Sequence, residues 1–229
     1  MPILAELYRD ARDLPERMPV LPLQGVILLP RAVLPLNIFE PRYLELVDDV
    51  LARTRVLAIV QPESSSTEEE SPPGKSVPLR RVACAGRLTA YQELDDGRII
   101  ITLTGIARCE LREEIPTDKP YRACAVSFER FAADFAQGAG EDDVNRQDLI
   151  RTLKAYLEAR SLRADWSAIS KSTNESLVNS LSMMSPYGPE EKQALLEACD
   201  LKTRSEVLVA LAEMELAASG TGGGGSTLQ

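Results

Sequence analysis

Apolar residues fall in three successive patterns along this chain: short runs broken by proline, then alternation with a period of two, then recurrence every three or four positions. Residues 19–43 carry three apolar runs separated by Pro22, Pro30 and Pro35. A proline fixes φ and removes a backbone donor, so these runs are predicted to be edge strands and bends. Pro41 then opens a helix with Tyr43, Leu46, Val47 and Val50 on one stripe, since the missing N–H of proline would be unbonded in a first turn anyway. Val56-Leu57-Ala58-Ile59-Val60 reads as a buried strand. Val82 to Leu94 and Arg98 to Glu113 alternate on either side of Asp95-Asp96-Gly97, a hairpin turn sequence. Pro120 to Phe128 supplies another strand, with Tyr121, Ala123, Ala125 and Ser127 predicted on one face. At the start of the chain, Ile3, Leu4, Leu7, Ala11 and Leu14 suggest a short amphipathic helix over 3–14.

From Asp142 the spacing becomes helical, with Val144, Leu149, Leu153, Tyr156 and Leu157 on one face. Further helices are expected at Asn174–Met184, Pro189–Cys199 and Arg204–Ala217. Gly188-Pro189-Glu190-Glu191 fits a helix start, and Thr203 with Glu206 fits a capping box. Residues 62–76 have almost nothing to bury and are expected to form an acidic, mobile loop. The organisation expected is an N-terminal extension over 1–17, a β-rich part over 18–132, a linker over 133–141, a helical bundle over 142–218 and a disordered glycine-rich tail over 219–229.

Lys and Arg number 26 against 35 Asp and Glu, a net charge of −9. Nonspecific nucleic-acid binding draws on clustered basic residues, so nucleic acid is not an expected partner. Arg80, Arg81 and Arg87 are the nearest thing to a basic patch. The absence of histidine removes Ser-His-Asp and Cys-His nucleophile systems and histidine zinc sites together. Cys84, Cys109, Cys124 and Cys199 show no C-x-x-C spacing and are expected to be reduced, the first three in strand cores. No metal or cofactor is expected. Gly74-Lys75-Ser76 ends like a phosphate loop, but Glu69 stands where the first glycine belongs. The acid pairs Asp48-Asp49 and Asp95-Asp96 read as helix surface and turn chemistry, and Trp166 as a packing anchor. Met183-Met184-Ser185-Pro186-Tyr187 is either core or a soft binding surface. The proline-rich edges near 19–39 either cap the sheet or accept an extended peptide. No apolar run approaches the ~20 residues needed to span a bilayer, and the acid-containing start is no secretory signal, so a cytoplasmic location is expected.

Leu21-Pro22-Leu23 through Leu36-Asn37-Ile38-Phe39-Glu40-Pro41-Arg42-Tyr43 resembles the opening of the Lon protease N-terminal, substrate-binding domain, with Pro30-Arg31 where that family usually has Pro-Gly. Thr104-Gly105-Ile106-Ala107-Arg108 is similar to its "G..R" strand. Leu177–Leu181, Glu191–Glu197 and Leu201–Arg204 resemble its C-terminal helical part. The resemblance implies an α+β fold: a PUA-like β pseudo-barrel with one inserted helix, followed by a C-terminal helical bundle. It also implies a noncatalytic module that binds unfolded or tagged polypeptides, as an adaptor in proteolysis, with no room for ATPase or protease domains. RNA binding and a small-molecule enzyme with a site between barrel and bundle are the rival readings. Phe39, Glu40, Arg42 and Tyr43 match the family most tightly and are the candidate binding positions. A structural role is also open to them: Glu40 pairing with Arg42, and Phe39 plugging the end of the barrel.

Overall fold

The computed structural model describes residues 7–63 and 77–221, with side chains to residue 218. The acidic loop beyond Glu63, Gly74-Lys75-Ser76 and the tail beyond 221 lie outside the described residues. Strands β1 (Arg17–Pro22), β2 (Val33–Ile38), β3 (Val56–Val60), β4 (Val82–Glu93), β5 (Ile99–Ile115) and β6 (Ala123–Ser127) pair in the order β2-β5-β4-β3-β1-β6. Strand β6 pairs a second time, with the far half of β5, so the pairings run in a circuit from β5 through β4, β3, β1 and β6 back to β5. Only β1 and β3 run parallel. The crossover between them contains β2 and helix α1 (Pro41–Ala52).

Strand β5 is 17 residues long and pairs with β2 and β4 along its first part and with β6 at its end. Register shifts interrupt both its β4 and β6 ladders, and such bulges bend a strand enough to change partners along its length. Strand β3 is buried on both faces, which is why it reads as an unbroken apolar run. Val56, Ala58 and Val60 join one core with Met18, Val20, Ala83 and Ala85. Leu57 and Ile59 join the other, with Leu46 and Val47 of α1 and residues from the helices.

Those helices are α2 (Arg146–Ala159), α3 (Trp166–Lys171), α4 (Asn174–Met184), α5 (Pro189–Glu197) and α6 (Leu201–Thr221). Val178 of α4, Leu195 of α5 and Leu208 of α6 pack into the same core as Ile101 and Leu103 of β5. The fold is thus mixed α+β. The stripe Tyr43, Leu46, Val47 and Val50 is the buried face of α1, and the Asp95-Asp96-Gly97 turn joins β4 to β5 with Gly97 at φ 81°.

Three local expectations are corrected. Strand β1 is not an edge: it lies between β3 and β6. Its prolines fit because Pro19 precedes the first residue in register with β3, and Pro22 is the last. The helix expected over 3–14 is not continuous: Leu7 is helical, but Asp10 accepts the Arg12 N–H at 2.9 Å and starts a separate 3-10 turn over Ala11–Asp13. Helix α6 is capped by Asp200, whose Oδ1 accepts the Thr203 N–H at 2.7 Å, so Thr203 lies inside the first turn.

Strand β2 does form an edge. Gly105 N–H donates to the Ala32 carbonyl at 2.9 Å, which sets the even-numbered residues toward β5 and the odd-numbered ones toward the open side. The missing N–H of Pro35 therefore falls on the unpaired edge, where a proline interrupts no ladder.

Candidate functional site

Helices α2 and α6 and the end of α4 enclose an apolar cleft of about 200 Å³. Leu149, Leu153, Tyr156 and Leu157 of α2 reach it because they share one face at helical spacing. The next lining residue follows from how α2 ends. Ser161 takes φ 54°, Leu162 N–H returns to the Leu157 carbonyl at 2.9 Å, and Ser161 N–H bonds the Glu158 carbonyl at 3.1 Å. This is a Schellman motif, whose usual apolar contact sets Leu162 beside Leu157 on the rim. The opposite wall exists because α4 stops at Met184, where Ser185 precedes Pro186 and so avoids helical backbone.

Met184 is 81% exposed and Leu162 54%, a high exposure for large apolar side chains. Arg160 pairs with Glu215 at 2.5 Å and lies 5.2 Å from the ring centroid of Tyr156, one of the lining residues. Burial raises the hydroxyls of Tyr156 and Tyr187, the latter to about 12, so both stay neutral at pH 7. Lys192 of α5 fastens the wall from behind. Its buried Nζ donates to the Ser182 carbonyl at 2.9 Å and to the Met183 carbonyl, at the C-terminal end of α4. Burial pulls its pKa down to about 8.

The family-motif positions are elsewhere. Arg42 donates to Glu40 Oε2 at 2.9 and 2.7 Å and lies 4.5 Å over the Tyr43 ring, and Tyr43 is buried. Phe39 is 64% exposed and plugs nothing, which corrects the expectation. Parity is the reason: Val33, Pro35 and Asn37 face solvent, Ile38 is buried, and Phe39 continues the outward set. The structure thus joins Glu40, Arg42 and Tyr43 in one cluster and leaves Phe39 on the surface. None of the four lines the apolar cleft.

The remaining candidates are occupied or ordinary. Arg80 pairs with Glu190, Arg81 lies 3.5 Å from Glu110, and Arg87 donates to the Tyr8 hydroxyl at 2.6 Å. Asp49 accepts from Lys119 and Tyr121, which lowers its pKa, and Asp96 is lowered by Arg98. Trp166 begins α3 and is 40% exposed, so it is a surface residue and not a buried anchor. Met183 packs against the core while Met184 does not. Cys84, Cys109 and Cys124 are buried thiols with pKa values raised by desolvation, Cys109 to about 12, and Cys199 is exposed. Among the described residues no group of three or more His, Cys, Asp or Glu is placed to hold a metal ion.

Sequence reasoning missed the polar junction between sheet and helices. Arg108 of β5 grips Asp134 with two parallel bonds and donates to the carbonyls of Leu196 and Ala198 at the end of α5. Arg31 pairs with Glu175 of α4, and Arg204 of α6 bonds Asn179. Gln61 joins Gly25, Pro189 and Gln193. A clue was present in "G..R", since Gly105 and Arg108 are both required. A Cβ on Gly105 would collide with the Leu29 carbonyl and lie 3.3 Å from Pro30 Cα.

Residues 17–213 match the model of the ATP-dependent protease La (LON) substrate-binding domain. The chain belongs to this family. Lon protease from Desulfosudis oleivorans is 26% identical over 197 residues, covering 83% of this chain and 23% of that protein. Lon protease 2 from Thermus thermophilus is 26% identical over 217 residues, covering 89% and 25%. The chain thus spans about a quarter of the length of these Lon relatives. Two solved structures share the fold. The N-terminal domain of Mycobacterium avium complex Lon protease aligns with a TM-score of 0.63 at 16% identity, covering 86% of this chain and 98% of that one. A Lon N-terminal domain protein from Xanthomonas campestris aligns at 0.56 and 21%, covering 85% and 97%.

Proposed function

We propose that this Lon-type substrate-binding domain captures unfolded polypeptide through the apolar cleft between α2, α4 and α6, and that it does so without catalysis, as an adaptor to a separate protease in the cytoplasm. The carrying observation is the pairing of an apolar floor with Met184 and Leu162 left exposed on its rim. Methionine is unbranched and polarizable, so it conforms to unlike side chains, which suits a site that must accept many sequences. The circuit of strand pairings supports a PUA-like pseudo-barrel as the platform for these helices. The arginines that an RNA reading would use are engaged with Glu190, Glu110 and Tyr8, and the net charge is −9. Clusters of free Lys and Arg are what RNA binding calls for.

The test is a double substitution, Met184→Asp with Leu162→Asp, assayed by fluorescence anisotropy with a labelled, reduced and unfolded model protein. Both residues are exposed, so the melting temperature should hold, while affinity should fall by about tenfold or more, the loss of ~1.4 kcal/mol or more of apolar contact. Unchanged affinity would move the capture surface away from the cleft.

A further inference from the structure

A second cavity, of about 130 Å³, lies at the junction of sheet and helices and shares no lining residue with the apolar cleft. Arg31, Arg108, Arg204, Asp134, Glu175 and Asp200 line it. The six charges cancel, but the hydrogen bonds do not. Asp134 accepts from Arg108 on both oxygens. Glu175 accepts from Arg31 on both, and from Gly138 N–H at 3.2 Å. Asp200 Oδ1 takes the Thr203 N–H, and Oδ2 faces the Cys199 thiol at 3.4 Å. Every carboxylate oxygen already accepts a hydrogen bond.

The donors are in surplus. Arg204 is 3% exposed and gives Nε to the Leu195 carbonyl and Nη1 to the Asn179 side-chain oxygen, both neutral. Its buried Nη2 meets no acceptor among the described residues. A guanidinium buried with a donor unused is costly, and such a group calls for an acceptor that the chain has not supplied. Burial and the like charge of Arg108 pull the Arg204 pKa down to about 10, a strain that a nearby anion relieves. Arg31 is the more open member. It holds φ 62°, a left-handed backbone that suits glycine, and from there its guanidinium reaches Glu175 and the Asp134 carbonyl.

We propose that this junction cavity binds a small oxyanion, a carboxylate or inorganic phosphate, between Arg31 and Arg204. The unused Nη2 of Arg204 supplies the donor and Arg31 the second positive charge, and a charge-assisted bond from a guanidinium is one that carboxylate and phosphate oxygens both accept. The volume admits a group of that size and excludes a nucleotide. The anion comes either from solution or from the α-carboxylate at the end of a polypeptide chain. The proposal is independent of capture by the apolar cleft.

The test uses the full chain and inorganic phosphate as probe, titrated at constant ionic strength against chloride, with melting temperature and isothermal calorimetry as readouts. A saturable rise in melting temperature with phosphate, absent with chloride, is expected. The double variant Arg31→Gly, Glu175→Gln should lose that response by tenfold or more in affinity. Glycine suits the backbone at position 31, and glutamine removes the carboxylate left without its partner. Should that variant unfold, Arg204→Lys keeps the charge without the fork and should bind phosphate about tenfold more weakly. Competition by a short peptide with a free C-terminus, but not by its amidated form, would assign the anion to a chain end. Failure of both peptides to compete would assign it to the free ion. Identical phosphate and chloride responses in the parent protein would overturn the proposal and leave only water in the cavity. Unchanged phosphate affinity in the folded variants would overturn it equally.

Discussion

Arg108 of β5 and Asp134 meet through parallel bonds, Nε to Oδ2 at 2.8 Å and Nη2 to Oδ1 at 2.7 Å, while the same guanidinium lies 4.2 Å from the Phe131 ring centroid. Both side chains are almost fully buried. Arg108 also holds the carbonyls that end α5, so one side chain links the sheet, the 129–135 turn and the helices. Removing one partner of a buried pair costs about 3–5 kcal/mol, because the other charge stays behind unpaired. Arg108→Ala should therefore lower the urea midpoint steeply, and Arg108→Met with Asp134→Leu should lose less than either single change. A double variant whose loss equals the sum of the singles would show that the pair contributes little beyond its surroundings.

Gly105 should tolerate no side chain. Arg31 N–H donates to its carbonyl at 2.8 Å, and the segment Leu29-Pro30 crosses directly over its Cα. Gly105→Ala is expected to cost at least about 1–3 kcal/mol as overpacking against rigid backbone. Gly25 is the control: it has φ +69° but open space around it, so Gly25→Ala should cost only about 1–2 kcal/mol of backbone strain. Thermal denaturation of the two variants should rank Gly105→Ala well below Gly25→Ala.

Phe39→Ala should leave stability within about 0.5 kcal/mol of the parent, as for other exposed positions. Truncating a buried phenylalanine would cost about 3–5 kcal/mol. The urea midpoint separates the two outcomes without ambiguity, and a large drop would place Phe39 in a core.

Lys192 gives the fold an alkaline dependence with a definite sign. Its pKa in the folded chain is about 8, below the ordinary value of 10.5. Between those two values the unfolded chain binds more protons than the folded one, so stability should rise with pH across that window. Below pH 8 both states are charged and the full burial penalty applies. Lys192→Met removes the titrating group, and chemical denaturation at pH 7.5 and pH 9.5 should show the rise in the parent and not in the variant.

The parts of the fold legible in the sequence are those fixed by local chemistry. Pro41 with its stripe of Tyr43, Leu46, Val47 and Val50 is a helix from its own residues, and Asp95-Asp96-Gly97 is a hairpin turn from its own φ requirement. Phe39 stands one step of strand parity away from a core position, and the prolines of β1 suggest an edge because a local pattern does not show where each ladder begins. The apolar cleft was half visible: Met183 and Met184 stood out, but only the end of α4 decides which of them is exposed. The junction arginines gave no local signal, since Arg108 finds carbonyls 88 and 90 residues away and Arg31 a carboxylate 144 residues away. Contacts of such separation depend on topology, and a pattern of neighbours along the chain carries no record of them.

Pro35 bears on company as much as on shape. A domain with the function proposed above would work amid exposed hydrophobic segments, each a candidate strand seeking a ladder. The open side of β2 offers them a broken one, with a gap in the middle of its donors. Under the proposed function, clients would thereby be steered from backbone templating, which is cumulative and hard to reverse, toward side-chain contact, which releases them. In this reading a single ring at position 35 keeps a holder of unfolded protein from becoming a seed for its aggregation.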